Sequence, residues 1–517
     1  MKGKAMHFTR RNFLIGGASA FGALGAFGGS RFFLASATAA PSAGGNPNLR
    51  FGLLSDIHIT HVAAENPSLA ARDVQTFKAA LEWFRDAKVD AVVISGDMAN
   101  LGLGEQLVAV GEAWYSVFPG DKRPDGARVE KVFVTGNHDW VGHTLYGGLG
   151  AKKYPDEAER AKHLLQNDMA GWWDRAFHEP YSPLYSKTVK GYTFIGAHWH
   201  GVEAKQNCYD ANFNLIEDFM AKNGKKIDPS LPFFYVQHPH PKDTCYGPWA
   251  WGHDGGVTTK TLSAYSNAVA ISGHSHYSIT DERSIWQGAF TSVGAGSLRF
   301  TTTPVNERKP NCFENSRANW KADARKLMPV LRTDDCRQGM LWSVYDDCMV
   351  VSRREFTSGL DLGEEWVLPL PAAEPKPFSF AEHAKKFRAP EFPEGAKPVV
   401  AETVAKNRGG KSKDSSEVIP SEEKPAFSVS VPPVVPDNRA RLFTLEFTAQ
   451  TADGKSQTKL VVPEGFNHSL GHAKAKARQT CYFRKDELGG GVVRFTVTPM
   501  NCFGARGKPI EASYGQT

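Results

Sequence analysis

The 517-residue sequence predicts an α/β core followed by an all-β sandwich. Three observations lead there. From Asn48 onward, apolar runs of strand length alternate with helical patterns. Five of those runs end on a carboxylate, amide or imidazole followed by loop residues. Near residue 368 the helical periodicity stops and only short strand patterns return.

The first 40 residues stand apart. Thr9-Arg10-Arg11-Asn12-Phe13-Leu14 precedes a Gly- and Ala-rich apolar run at 15–29, and Ala35-Ser36-Ala37-Thr38-Ala39-Ala40-Pro41 offers Ala-x-Ala cleavage sites. This leader, 1–40, resembles a bacterial twin-arginine export signal. The rival reading is a retained membrane anchor. Arg31 interrupts the stretch before it reaches the roughly 20 apolar residues of a spanning helix. The resemblance implies delivery by the twin-arginine machinery to the periplasm or elsewhere outside a bacterial cytoplasm, with no stable membrane span after cleavage. Most of the formal charge of +6 also belongs to the leader, whose five basic residues leave 56 basic against 55 acidic ones. A near-neutral mature chain has no global electrostatic pull toward nucleic acid or anionic membranes, so a nucleic-acid partner is disfavoured.

Seven cysteines in an oxidising compartment are free to pair. Neighbours in sequence are Cys208 with Cys245, Cys312 with Cys336 and Cys481 with Cys502, which leaves Cys348 over. Connectivity stays open at this level, and so does the fully reduced chain. The absence of Cys-x-x-Cys excludes a zinc ribbon or a thioredoxin-type motif.

The core domain, 48–368, is expected to hold strands at Leu49–Leu54, 89–95, 129–135, 192–198, 232–238, 268–272, 289–293 and 341–352. A helix is expected over 67–88, where Val74, Phe77, Leu81 and Phe84 recur at helical spacing behind Pro67. In such a fold ligands bind beyond the carboxyl ends of the strands. Residues 369–388, rich in Pro, Lys and Glu, read as a linker. Residues 389–517 carry strand signals at 427–431, 441–450, 458–462 and 492–499, with a solvated loop at 408–425. That pattern fits an immunoglobulin-like or fibronectin type III-like module. The alternating Lys474, Lys476 and Arg478 read as the wet face of one strand.

Chemistry concentrates in five elements, each closing an apolar run. These are Asp56-Ile57-His58, Gly96-Asp97, Gly136-Asn137-His138-Asp139, His238 before Pro239, and Gly273-His274-Ser275-His276. Each alone is weak. Together they bring carboxylates, an amide and imidazoles to one edge of a sheet, where desolvation is costly unless a metal coordinates them. Oxygen and imidazole donors without thiolate suit Mn, Fe, Zn, Co or Ni and disfavour a structural zinc.

In order and spacing these elements resemble the calcineurin-like metallophosphoesterase superfamily over roughly residues 49–360. The resemblance implies a four-layer α-β-β-α core and two divalent metal ions. It implies Asp56, His58, Asp97 and His276 as ligands of the first ion, and Asp97, Asn137, His238 and His274 as ligands of the second. It also implies His138 as the group that protonates the leaving oxygen, with Asp139 orienting it. The reaction implied is hydrolysis of a phosphodiester or phosphomonoester by a hydroxide shared between the ions, roughly 3.5–4 Å apart. The tyrosine that purple acid phosphatases place three residues after the bridging aspartate is Asn100 here, which argues against a tyrosinate–iron site.

Neighbouring residues leave further candidates. His240 rivals His238 as a ligand, although His238 directly follows its strand. His198 or His200, and the aromatic residues Tyr246, Trp249 and Trp251, are candidates for the walls of the substrate pocket. His61, His143 and His253 read as loop or surface residues. The alternative functional class is a surface-binding protein that uses the β-module and carries a vestigial core. An exported nuclease is disfavoured by the balanced charge.

Overall fold

Runs of residues buried along their whole length, such as Ala91–Ser95 and Phe233–Val236, become central strands covered on both faces. The computed structural model describes residues 45–60, 67–145, 151–152, 154–199, 214–248, 250–302, 314, 336–407, 409–411, 418–434, 442–463, 478–488 and 491–514. The expected export signal lies outside these residues, as do His61, His200, Cys208, Trp249, Cys312, Lys474 and Lys476.

The first half of the core runs β1 (Leu49–Leu54), α1 (Pro67–Asp86), β2 (Ala91–Ser95), α2 (Gly104–Val117), β3 (Glu130–Val134), α3 (Asn137–Leu145), α4 (Glu157–His163) and α5 (Met169–Phe177). Next come β4 (Leu184–Val189), β5 (Tyr192–Ala197), α6 (Asn214–Asn223), β6 (Phe233–Val236), α7 (Val257–Leu262) and β7 (Ala268–Ser272). The core closes with β8 (Ile285–Gln287), β9 (Thr291–Gly294), β10 (Gln338–Val344), β11 (Cys348–Glu355), β12 (Leu360–Asp361) and β13 (Trp366–Pro369).

Two sheets face each other. One has the order β12-β11-β10-β1-β2-β3, with β13 also on β11, and the other β4-β5-β6-β7-β9-β8. Phe51 and Trp342 of the first sheet meet Phe194 and Phe234 of the second, with Phe51 and Phe234 ring centroids 4.8 Å apart. Outside the first sheet, Phe77, Leu81 and Phe84 of α1 pack with Trp114 of α2 and Trp173 of α5. Outside the second, Ile216 and Met220 of α6 and Leu262 of α7 cover Phe233 and Tyr235. The core is thus the four-layer α-β-β-α arrangement. β1, β2 and β3 are mutually parallel, as are β5, β6, β7 and β9, so within each sheet the carboxyl ends of these strands share an edge.

The expected single strand over 341–352 is a hairpin, β10 and β11, with Tyr345 N–H donating to Cys348 O at 2.8 Å. Its apolar pattern runs through both arms, which masked the Asp346-Asp347 turn. Residues 369–388 hold a short helix, α8 (Phe380–Ala384), and set Phe378 into the core between the sheets.

Beyond them come β14 (Val399–Lys406), β15 (Gly410–Lys411), β16 (Val418–Ile419), β17 (Glu423–Val431) and β18 (Leu442–Thr451). They are followed by β19 (Ser456–Val461), β20 (Gln479–Arg484), α9 (Lys485–Leu488), β21 (Val492–Asn501) and β22 (Ile510–Ser513). Sheets β14-β17-β20 and β19-β18-β21-β22 sandwich Val429, Val431, Phe447, Phe483, Phe495 and Val497. The loop expected over 408–425 is shorter than that, because Glu423, Lys424 and Pro425 pair with Lys406, Ala405 and Val404 as part of β17. The Cys481–Cys502 pairing does not form. Cys481 points into the sandwich, and Cys502 lies against the loop holding Asp281 and Glu282, where burial raises its thiol well above the usual range.

The sandwich docks through that loop. Glu282 is buried and bonded to Arg353 Nη1 and Trp366 Nε1, each at 2.8 Å, with His383 of α8 3.5 Å away. His383 in turn packs on Phe503 of the sandwich, centroids 5.3 Å apart. Burial, with Lys386 and Arg353 nearby, pushes the His383 imidazole down to about 3, since Glu282 already serves Arg353. Unfolded histidine protonates near 6.5, so between about pH 6.5 and 3 the unfolded chain binds the extra proton and stability is lost as the pH falls. His383→Gln is expected to flatten the pH dependence of unfolding in that window, followed by urea titration at pH 7 and pH 5.

Candidate metal centre

All five sequence elements arrive at the strand ends. Asp56 and His58 follow β1, Asp97 follows β2, Asn137, His138 and Asp139 open α3 after β3, His238 follows β6, and His274 and His276 follow β7. The backbone turns sharply there. Asp56, His58, Asp97, His274 and His276 all take left-handed φ, between 49° and 69°. Such strain costs about 1–3 kcal/mol per residue and persists only where surrounding structure enforces it. Gly96, at φ 108°, has no room for a Cβ because the His238 ring fills that space, and a Cβ at Gly273 would strike Ser55 and the Asp56 carboxylate.

The donor atoms converge in two clusters. In one, Asp56 Oδ1, His58 Nε2, Asp97 Oδ2 and His276 Nε2 crowd together. His276 Nε2 lies 3.1 Å from Asp56 Oδ1 and 3.0 Å from His58 Nε2, and His58 Nε2 lies 3.5 Å from Asp97 Oδ2. In the other, His238 Nε2 lies 3.1 Å from the same Asp97 Oδ2 and 3.2 Å from His274 Nδ1. Asp97 Oδ2 therefore belongs to both. The outer ring nitrogens orient two of the imidazoles: His238 Nδ1 donates to Ser95 O at 2.7 Å and His276 Nδ1 to Phe300 O at 3.0 Å. Each ring is left with Nε2 facing inward, as second partners of metal-bound histidines arrange it.

These residues fit divalent cations. Asn137 Oδ1 is buried without a hydrogen-bond partner among the described residues. Charge points the same way. Burial would raise Asp56, yet His276 holds it well below the carboxylate range. Burial would lower His238, yet Asp97 lifts it to about 9, and His276 rises against burial beside Asp56. Each cluster thus holds one imidazole that favours a proton, in the place a cation would take on binding. Burial and neighbouring imidazoles push His58 down to about 3 and His274 well below its usual value.

His138 stands beside the first cluster, its ring edge-on to His58 at 4.5 Å, with its backbone N–H donating to Asp97 Oδ1 at 2.8 Å. The expected orienting role of Asp139 is corrected: His138 Nδ1 bonds the Asn100 carbonyl at 2.9 Å. Asp139 instead accepts backbone N–H groups of Met98, Ala99 and Gly136 at 3.3, 2.6 and 2.7 Å, tying the Asp97 loop to the Asn137 loop. Burial and the nearby Asp97 push its carboxyl up to about 7.

His240 belongs to a different task. It is buried, with Nδ1 2.8 Å from Ser272 Oγ and Nε2 2.6 Å from Ser275 Oγ. Both ring nitrogens are committed to serines, and Ser275 sits between His274 and His276, so His240 clamps the turn that presents them. Tyr246 is fully buried against His240 and Tyr277 and is no pocket wall. His198 packs on Trp173 and Tyr181, accepts from Thr135 N at 3.1 Å, and lines a cavity of about 420 Å³ that includes none of the clustered residues. His253 Nδ1 bonds Asp254 O at 2.6 Å. His143 is half-buried on α3.

One supporting segment escaped the sequence reading. After β9, Ser297 Oγ donates to Asp56 O at 3.2 Å, and Arg299 Nη1 donates to His58 O at 3.0 Å and to Thr60 Oγ1 at 2.7 Å while pairing with buried Asp73. The available signal was the small-residue run Gly294-Ala295-Gly296-Ser297 closing a strand.

A family model described as calcineurin-like phosphoesterase matches residues 49–278. Over those residues the chain is similar to that family. No curated protein matches the chain. Similar solved structures include a dimetal phosphatase from Danio rerio, 11% identical, with TM-score 0.36, covering 63% of this chain and 100% of that one. GAP50, the anchor in the inner membrane complex of Plasmodium, is 12% identical, with TM-score 0.36 over 63% of this chain and 89% of its own. A purple acid phosphatase from yellow lupin seeds is 12% identical, with TM-score 0.37 over 62% of this chain and 55% of its own.

His240→Ala removes the clamp, leaving Ser272 Oγ its bond to Val293 O and Ser275 Oγ the one from Tyr277 N–H. It is expected to weaken Mn(II) or Zn(II) binding about 10- to 100-fold by calorimetry, with a folded circular dichroism spectrum retained.

Proposed function

We propose that the chain is an exported dinuclear-metal phosphoesterase that hydrolyses phosphodiester or phosphomonoester bonds. The observation that carries the reading is the sharing of one buried oxygen, Asp97 Oδ2, by two clusters of oxygen and imidazole donors. Asp56, His58, Asp97 and His276 would hold one ion, and Asp97, Asn137, His238 and His274 the other. The donor set suits Mn, Fe, Zn, Co or Ni. When bound, two such cations polarise a phosphoryl oxygen and acidify water.

The chain's own residues supply the remainder. His138, its Nδ1 fixed on the Asn100 carbonyl, moves a proton at Nε2 to the departing oxygen. Asp139 keeps the Asp97 and Asn137 loops in register through three backbone N–H bonds. Gly96 leaves room for the His238 ring, and Gly273 for Ser55 and the Asp56 carboxylate. Cations held at these clusters would attract a phosphate, so the mature surface needs no excess basic charge. The twin-arginine-like leader supports a periplasmic or otherwise exported location, and the C-terminal sandwich is read as a fibronectin type III-like module.

Hydrolysis of bis-p-nitrophenyl phosphate and p-nitrophenyl phosphate by the metal-loaded protein tests this reading. Asp97→Ala is expected to abolish turnover. His138→Ala is expected to lower kcat about 100- to 10,000-fold with KM little changed. A His138→Ala variant at wild-type kcat would remove the assigned proton donor, and a wild type inert toward both esters would count against the reading.

A further inference from the structure

The two histidines of the Gly273–His276 turn each carry an aromatic neighbour. Trp251, in the loop between β6 and α7, stacks on His274 with ring centroids 4.9 Å apart and planes 18° from parallel. Phe300 lies 4.3 Å from His276 and is half-buried. Trp251 is 48% exposed and is the one aromatic residue among the large exposed hydrophobics described. One face of its indole is taken by His274, a member of the second cluster.

Its position is preformed. Gly252 adopts φ 85°, and a Cβ there would come within 2.7 Å of His274 Cδ2. Gly252 O accepts His240 N–H at 2.9 Å, and Asp254 N–H donates to His240 O at 2.8 Å, so the loop is pinned to the strand end that carries His238. Among the described residues, Asp56 and Asp97 pair with histidines and backbone N–H groups. The phosphoesterase reading puts a substrate's phosphate at the clusters, and the group attached to it would then meet the indole stacked on His274.

We propose that Trp251 is a stacking platform for the leaving group, and that the substrate class is phosphoesters of alcohols carrying a flat aromatic or heteroaromatic ring close to phosphorus. This rests on the phosphoesterase reading above. In the reaction water adds to phosphorus, the bond to the ring-bearing oxygen breaks, and that oxygen takes its proton from His138. A rigid indole suits such a group because offset stacking rewards two planar surfaces and sacrifices little side-chain freedom.

The test uses the full chain loaded with Mn(II) and three phosphonates that cannot be hydrolysed, with binding measured by calorimetry. The wild type is expected to bind phenylphosphonate about tenfold more tightly than methylphosphonate. Cyclohexylphosphonate, apolar but not flat, should fall well short of phenylphosphonate. Trp251→Ala should close the phenyl-to-methyl gap by weakening phenylphosphonate alone, and Trp251→Phe should keep most of it. A gap that survives Trp251→Ala, or cyclohexylphosphonate matching phenylphosphonate, overturns the platform. So does a wild type that binds methylphosphonate without any phenyl margin. A wild type that binds none of the three overturns the phosphoesterase reading, and the platform with it.

Discussion

Six ionisable side chains, Asp56, His58, Asp97, His238, His274 and His276, are buried within contact of one another, and two of them are carboxylates sharing a space with four imidazoles. Desolvating that much charge in one place is unfavourable unless positive charge arrives to compensate it. The carboxylates favour positive charge beside them: Asp97 raises His238 and Asp56 raises His276, each against burial. Two divalent ions would offset the desolvation, because each could take several of these donors at once.

The rest of the architecture serves that convergence. Parallel strands in each of the two facing sheets deliver their last residues to one edge, and the aromatic packing of Phe51, Phe194, Phe234 and Trp342 locks the sheets together. The turns beyond the strands are strained at five side-chain-bearing residues. Backing groups hold them: Asp139 under the Asp97 loop, His240 under the Gly273–His276 turn, and Ser297, Arg299 and Asp73 behind Asp56 and His58. Most of this support runs through backbone carbonyls and N–H groups.

That explains what could be read in advance. The strand runs and the clustered residues were legible because burial leaves an apolar run, and coordination demands particular side-chain types at its end. Supporting roles leave a weaker trace. Asn100 orients His138 through its carbonyl oxygen, which any residue carries, so the role fell to Asp139 in the sequence reading. His240 looked like a ligand because a clamp and a ligand use the same imidazole, and only the two serines at its nitrogens separate them. Tyr246 looked like a wall for the same reason that it proves buried, since an aromatic side chain serves either purpose. The hairpin over 338–355 was merged because its two arms share one apolar pattern.

The central claim is that Asp97 joins two cation sites. Calorimetric titration of the chelator-stripped chain with Mn(II), checked by elemental analysis after desalting, tests it most directly. The account predicts about two ions per wild-type chain and the loss of both high-affinity sites in Asp97→Asn. One ion per chain, or an Asp97→Asn protein that still binds two with wild-type affinity, would contradict it.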